Sequence, residues 1–144
     1  MSNRILILDD DPASVDLLKA YLAGVADQIL GITDPTLIVH VFEEFEPDIL
    51  LLDIHMPQLD GLEILRRLRS VRDGMGFLPV VVLTADTGKI ARNSALTLGA
   101  DDFLTKPLDK WEVVLRVRNL LRTRRLYVQL VAASSGKAPP LSSG

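Results

Sequence analysis

The 144-residue chain is 48% hydrophobic and 24% charged, with a formal net charge of −3 and no cysteine. This is the composition of an ordinary globular domain, and it excludes disulfides, thiolate metal sites and a cysteine nucleophile. The longest nearly apolar run, GFLPVVVL over 76–83, is far shorter than the roughly 18 residues a membrane span needs, and no secretory leader is expected because Arg4 precedes only four apolar residues before the aspartates.

RILIL (4–8) reads as the first strand, and a helix is expected over about 12–23, with Val15, Leu18 and Leu22 at helical spacing. QILGIT (28–33) reads as the second strand, followed by a helix over about 36–45 that must end before Pro47. DILLLD (48–53) is the third strand; the next helix, about 61–72, presents Leu62, Leu65 and Leu68 among arginines. PVVVLT (79–84) is followed by a helix over about 88–98 that stops at Gly99, and DFLT (102–105) is the fifth strand. The last helix begins near Asp109, where DKWE has the form of a capping box, and runs to about 133. Strands one, three and four are apolar at every position over 5–8, 49–52 and 80–83, as strands buried on both faces of a parallel sheet are. Five β–α units therefore predict an α/β fold, a doubly wound sheet clothed by helices.

The fifth helix has no internal Gly or Pro and would extend about 35 Å at 1.5 Å per residue. A compact domain of this size does not need all of it. The Ser/Gly/Pro-rich stretch over 134–144 has the composition of a disordered segment. A connector to a downstream partner and a frayed tail are both open readings.

Charge is unevenly distributed. Residues 1–60 carry 12 acids against Arg4 and Lys19, whereas residues 61–144 carry 14 bases against 7 acids. Such asymmetry can mark nucleic-acid binding, but these bases fall mainly on helical stretches where cations cover solvated faces and meet the negative helix end. No nucleic-acid motif with interleaved aromatics is present, so neither nucleic acid nor membrane is an expected direct partner.

In an open α/β sheet, ligands bind beyond the carboxyl ends of the strands. Strand one ends in Asp9, Asp10 and Asp11, strand three in Asp53, strand four in Thr84, and strand five runs into Lys106-Pro107. Asp11 before Pro12 reads as a helix N-cap. Asp9 and Asp10 are left without a structural task, and clustered carboxylates are costly unless a cation offsets them. A hard divalent ion such as Mg²⁺ suits that donor set. Asp53 could be a further ligand, a nucleophile that forms an aspartyl phosphate, or both. Thr84 could hydrogen-bond a phosphoryl oxygen, and Lys106 could neutralise another. His55 is expected to act through its backbone carbonyl. His40, with no partner at metal spacing, is read as structural. Trp111 and Tyr127 are read as packing residues, and PQLDG (57–61) as a turn.

The pieces ILILDDDP, ILLLDIHMPQLDG, VVVLTA and DDFLTKPL, in that order, make the chain resemble the receiver domain of two-component response regulators over about residues 3–125. The resemblance implies a flavodoxin-like receiver fold, a five-stranded parallel sheet of order 2-1-3-4-5 with five helices; receivers are among the known examples of that order. It implies a receiver domain over 1–125, with 126–144 forming the extended end of helix five and a disordered tail or linker to an output domain. Asp53 is implied as the phosphoacceptor, supplied by a sensor histidine kinase or phosphotransfer protein. Asp9, Asp10, Asp53 and the His55 carbonyl are implied as Mg²⁺ ligands, Thr84 and Phe103 as switch residues, and Lys106-Pro107 as a cis bond. It further implies a switching surface on helix four, strand five and helix five, through which a homodimer would form, and a cytoplasmic location. LLDIHMPQLDG and the long basic fifth helix are also similar to receivers found ahead of HD-GYP cyclic-di-GMP phosphodiesterase domains, though neither signature is present in this chain.

Three rivals remain. A haloacid-dehalogenase-type phosphatase needs Asp-x-Asp with a nearby Thr, where this chain reads DIHMP. Nucleotide-binding glycine motifs are missing. The alternative reading is a phosphate-independent protein-interaction module with a receiver fold, against which stands the full set of site residues. The chain is not expected to be an enzyme beyond catalysing its own phosphorylation and dephosphorylation.

Overall fold

The computed structural model describes residues 3–55, 61–74, 76–85 and 89–134. In chain order the elements are β1 (Arg4–Leu8), α1 (Pro12–Leu22), β2 (Gln28–Ile32), a 3₁₀ turn (Pro35–Leu37), α2 (Ile38–Phe45), β3 (Ile49–Asp53), α3 (Gly61–Gly74), β4 (Val80–Thr84), α4 (Lys89–Thr97), β5 (Asp102–Thr105) and α5 (Lys110–Ser134). The strands form one sheet of order β2-β1-β3-β4-β5, and every neighbouring pair is parallel. This is the flavodoxin-like receiver architecture.

The uninterrupted apolar strands lie where both faces are covered: Ile5–Leu8, Ile49–Leu52 and Val80–Leu83 are all buried. Because successive side chains point to opposite faces, each strand feeds two cores. Leu6, Leu8, Leu50, Leu52, Val80 and Val82 meet Ile38 and Phe42 of α2, Ile64, Leu65 and Leu68 of α3, and Ala95 of α4. Ile5, Ile7, Ile49, Leu51, Val81 and Leu83 meet Val15, Leu18 and Leu22 of α1 and Val113, Val114, Val117 and Leu121 of α5. In α3 the inward face is set by Ile64, Leu65 and Leu68, while Leu62 is only half-buried.

Helix ends follow local chemistry. Asp11 Oδ1 accepts the Ala13 N–H at 3.0 Å with Pro12 in the first turn, as expected of an N-cap. Asp34-Pro35 repeats the device: Asp34 Oδ1 accepts the Thr36 N–H at 3.0 Å and opens a 3₁₀ turn, so the regular second helix starts at Ile38, later than the expected 36. Glu46 closes α2 in the left-handed conformation, φ 52°, immediately before Pro47. Gly99, just past α4, has φ 101°, where a side chain is strained. Asp109 Oδ2 accepts the Glu112 N–H at 2.9 Å, which is one arm of the expected capping box; the Glu112 carboxylate instead lies 3.7 Å from Arg116.

The buried stripe of α5 ends at Leu121, and Leu126 and Leu130 beyond it are exposed. Trp111, read from sequence as a packing residue, is 67% exposed. The inward face of α5 is already occupied by Val113, Val114, Val117 and Leu121, which turns Trp111 outward under the Lys110 ammonium. Tyr127 does pack, edge-on against Phe77 with ring centroids 6.0 Å apart. His40 is a surface residue whose Nε2 lies 3.4 Å from Glu44 one turn later, so it does have an acidic neighbour. Among the described residues no helix is long and apolar enough to cross a membrane. Residues 57–60 of the expected turn, residue 88 and the tail over 135–144 lie outside the described residues.

Candidate functional site

Parallel pairing brings the carboxyl ends of β1, β3, β4 and β5 to one rim. The register opposes Leu8 to Leu52, Asp53 to Leu83, and Thr84 to Thr105. The residues immediately following β1 and at the ends of β3 and β4 therefore share one small region, although 44 residues separate Asp9 from Asp53. Among the described residues Asp9, Asp53 and Thr84 are the polar residues buried there, and Asp10 reaches solvent beside them.

Asp9, Asp10 and Asp53 each offer a carboxylate oxygen, all within 4.8 Å of one another. Lys106, following β5, reaches across the sheet: its Nζ lies 2.8 Å from Asp9 Oδ2 and 3.4 Å from Asp53 Oδ2. Lys106 is held there by a backbone bond from its own N–H to the Thr84 carbonyl at 2.8 Å; the Lys106–Pro107 peptide is cis, the isomer the sequence resemblance implied.

The electrostatics follow from crowding. Burial raises the Asp53 carboxyl above its ordinary value, and the Asp9 charge adds to this, against the His55 N–H and the Lys106 ammonium. Burial alone would lower Lys106, but its hydrogen bond to Asp9 and the charges of Asp53 and Asp9 outweigh that and hold the ammonium above its ordinary value. One ammonium facing three carboxylates leaves an excess of negative charge. An all-oxygen donor set of this size and charge fits a hard divalent cation such as Mg²⁺, which takes one or two carboxylates and completes its shell with water or phosphate oxygens.

All the expected rim residues thus converge, with two departures from the sequence reading. Asp9 has structural tasks after all: its Oδ1 accepts the Asp11 N–H at 3.0 Å and its Oδ2 holds Lys106. His55 contributes more than backbone. Its N–H donates to Asp53 Oδ1 at 2.9 Å, and its ring Nε2 lies 3.0 Å from Thr84 Oγ1. The sequence signal for that contact was only a histidine two residues past a strand-end acid, with nothing to indicate which neighbouring strand it would meet. Phe103 is half-buried against the core on the α2–α4 side.

A doubly wound parallel sheet with an acidic pocket and a lysine on its carboxyl rim defines the receiver class of α/β proteins. The chain belongs to the response regulator receiver domain family, whose description matches residues 5–118, and is a receiver domain of two-component signalling systems. It is 41% identical over 119 residues to the transcriptional regulatory protein TrcR of Mycobacterium tuberculosis, covering 83% of this chain and 45% of that protein. It is 40% identical over 126 residues to the response regulator MprA of Mycobacterium ulcerans, covering 88% of this chain and 53% of that one. Among solved structures, the receiver domain of the Francisella response regulator 1452 superposes with a TM-score of 0.75 at 26% identity, covering 84% of this chain and 98% of that one. The chain spans about half the length of the curated relatives it matches. These relatives are named as regulators, one of them of transcription, and lend no support to the similarity with receivers ahead of HD-GYP domains.

Proposed function

We propose that Asp53 is the phosphoacceptor of this receiver, taking a phosphoryl group from the phosphohistidine of a sensor histidine kinase or phosphotransfer protein. A single observation carries the reading: a buried carboxylate at the end of a central strand, within 4.8 Å of two further carboxylates and beside a lysine. An Asp53 oxygen attacks phosphorus, the P–N bond of the donor breaks, and the donor imidazole leaves with the electron pair, giving an acyl phosphate. Asp9, Asp10, Asp53 and the His55 carbonyl would hold Mg²⁺, which would supply charge neutralisation for the transferring phosphoryl oxygens. Lys106, already between Asp9 and Asp53, is in reach of a phosphoryl oxygen on Asp53. The Thr84 hydroxyl would donate to another.

The output is a change of surface. A phosphoryl group adds about −1.5 to −2 charge and three acceptor oxygens; drawing Thr84 toward it would open space for Phe103 to turn inward and alter the α4–β5–α5 face, where a homodimer would form. Residues 126–134 of α5, with their exposed apolar side chains, would lead toward an output domain. A transcriptional output is the one the relatives' names favour over an HD-GYP enzyme. A cytoplasmic location follows from a histidine-kinase partner.

The test is labelling with acetyl phosphate and Mg²⁺, read by intact mass. The wild-type chain should gain one phosphoryl group and lose it slowly; Asp53→Asn should gain none. Catalytic release of phosphate from many substrates would favour a phosphatase, and no uptake at all would favour a phosphate-independent interaction module.

A further inference from the structure

The His55 imidazole is bonded to the very hydroxyl that the proposed switch must move. Nε2 lies 3.0 Å from Thr84 Oγ1, and the His55 backbone N–H donates to Asp53 Oδ1 at 2.9 Å, so one residue touches both the acceptor carboxylate and the switch hydroxyl. Thr84 is buried and His55 is exposed, so the contact joins an interior group to a solvent-facing ring.

We infer that the His55 imidazole is a positioning residue that holds the Thr84 hydroxyl in the resting arrangement and releases it when Asp53 is phosphorylated. The inference rests on the phosphoacceptor reading of Asp53. Whichever ring nitrogen carries the proton, the bond keeps Oγ1 at its present position, since the hydroxyl can either donate to or accept from Nε2. On the switch reading of Thr84, Oγ1 is drawn toward an oxygen of a phosphoryl group on Asp53 and so leaves that position. The imidazole bond then belongs to the resting state alone, and only contacts that differ between two states bias the equilibrium between them. Removing it should favour the activated arrangement by about two- to tenfold, the range expected for one ordinary hydrogen bond.

The test is titration of the metal-loaded chain with fluoroberyllate, a phosphoryl mimic, followed by NMR at fixed pH. His55→Ala should bind the mimic about two- to tenfold more tightly than wild type, and His55→Gln, whose amide can still reach the hydroxyl, should return toward the wild-type value. In a Thr84→Ala background the same His55→Ala substitution should change the affinity for the mimic no further, whereas a histidine acting other than through that hydroxyl would change it in both backgrounds. Equal or weaker affinity in His55→Ala, or an undiminished effect of that substitution in the Thr84→Ala background, overturns the inference. Failure of the folded wild-type chain to take up fluoroberyllate at all would bring down the phosphoacceptor reading, and this inference with it.

Discussion

Lys106 Nζ lies 2.8 Å from the Asp9 carboxylate, a side chain with no solvent exposure, across 97 residues of chain. The ammonium is the charge that makes burial of Asp9 tolerable, and it simultaneously faces Asp53 at 3.4 Å. Stability and site chemistry therefore meet in one ion pair.

Replacing Lys106 with Met leaves Asp9 buried without its cation. Breaking one side of a buried pair costs about 3–5 kcal/mol when both partners are enclosed; because Lys106 is itself partly exposed, a loss of about 2–3 kcal/mol is expected. Mg²⁺ should then raise the melting temperature of the variant more than that of wild type, because a bound cation offsets the same excess charge. Equal Mg²⁺ responses would show that the metal binds away from Asp9.

Asp53 supplies the pH prediction. Its carboxyl is raised above 3.8 by burial and by the Asp9 charge, so the folded chain binds that proton more tightly than the unfolded chain. Its contribution to stability therefore declines as pH rises from the ordinary carboxylate value through the raised one, and stays unfavourable above it. Without divalent metal, Asp53→Asn should melt above wild type at neutral pH, with the difference shrinking toward pH 3.8. Thermal melts across that window check it; an asparagine variant no more stable than wild type at neutral pH would refute it.

Arg72 ties the end of α3 to the far side of the sheet. Its Nη2 donates to the Leu78 carbonyl at 2.9 Å and the Gly99 carbonyl at 3.0 Å, and lies 3.3 Å from Asp101, which in turn accepts the Val80 N–H at 2.7 Å. A lysine has no planar fork to serve these acceptors together. Arg72→Lys should cost about 1–3 kcal/mol in urea unfolding, with labelling at Asp53 retained because the contact lies at the opposite end of β4.

Gly61 opens α3 directly against the end of β3. A Cβ there would lie 2.4 Å from Ile54 Cα and 2.7 Å from the Asp53 carbonyl oxygen, both backbone atoms that cannot swing aside. Gly61→Ala should therefore destabilise the fold by about 1–3 kcal/mol and, by displacing the Asp53 segment, weaken Mg²⁺ binding. Gly24→Ala, where nothing lies within 4 Å of the added Cβ, is the control expected to leave Mg²⁺ binding unchanged.

Much of this molecule was legible along the chain. The apolar runs 5–8, 49–52 and 80–83 announced strands buried on both faces, and Asp11-Pro12 and Asp109 marked helix starts that form as read. The rim set of Asp9, Asp10, Asp53, Thr84 and Lys106 was accessible because strand-end positions in a parallel sheet share one edge. Asp34-Pro35 carried the same capping signal as Asp11-Pro12, and that signal marks a helical start at Pro35 without distinguishing a 3₁₀ turn from an α-helix.

Side-chain periodicity and capping act between residues a few positions apart, so the sequence by itself determined the strands, the helices and which residues end them. Contacts between distant segments obey no such spacing. That the His55 ring reaches Thr84, that Asp9 serves Asp11 and Lys106 at once, and that Trp111 faces outward were decided only when the sheet assembled. Each depends on the register and rotation of separately formed elements, and those are set by the packing of two cores rather than by any local pattern.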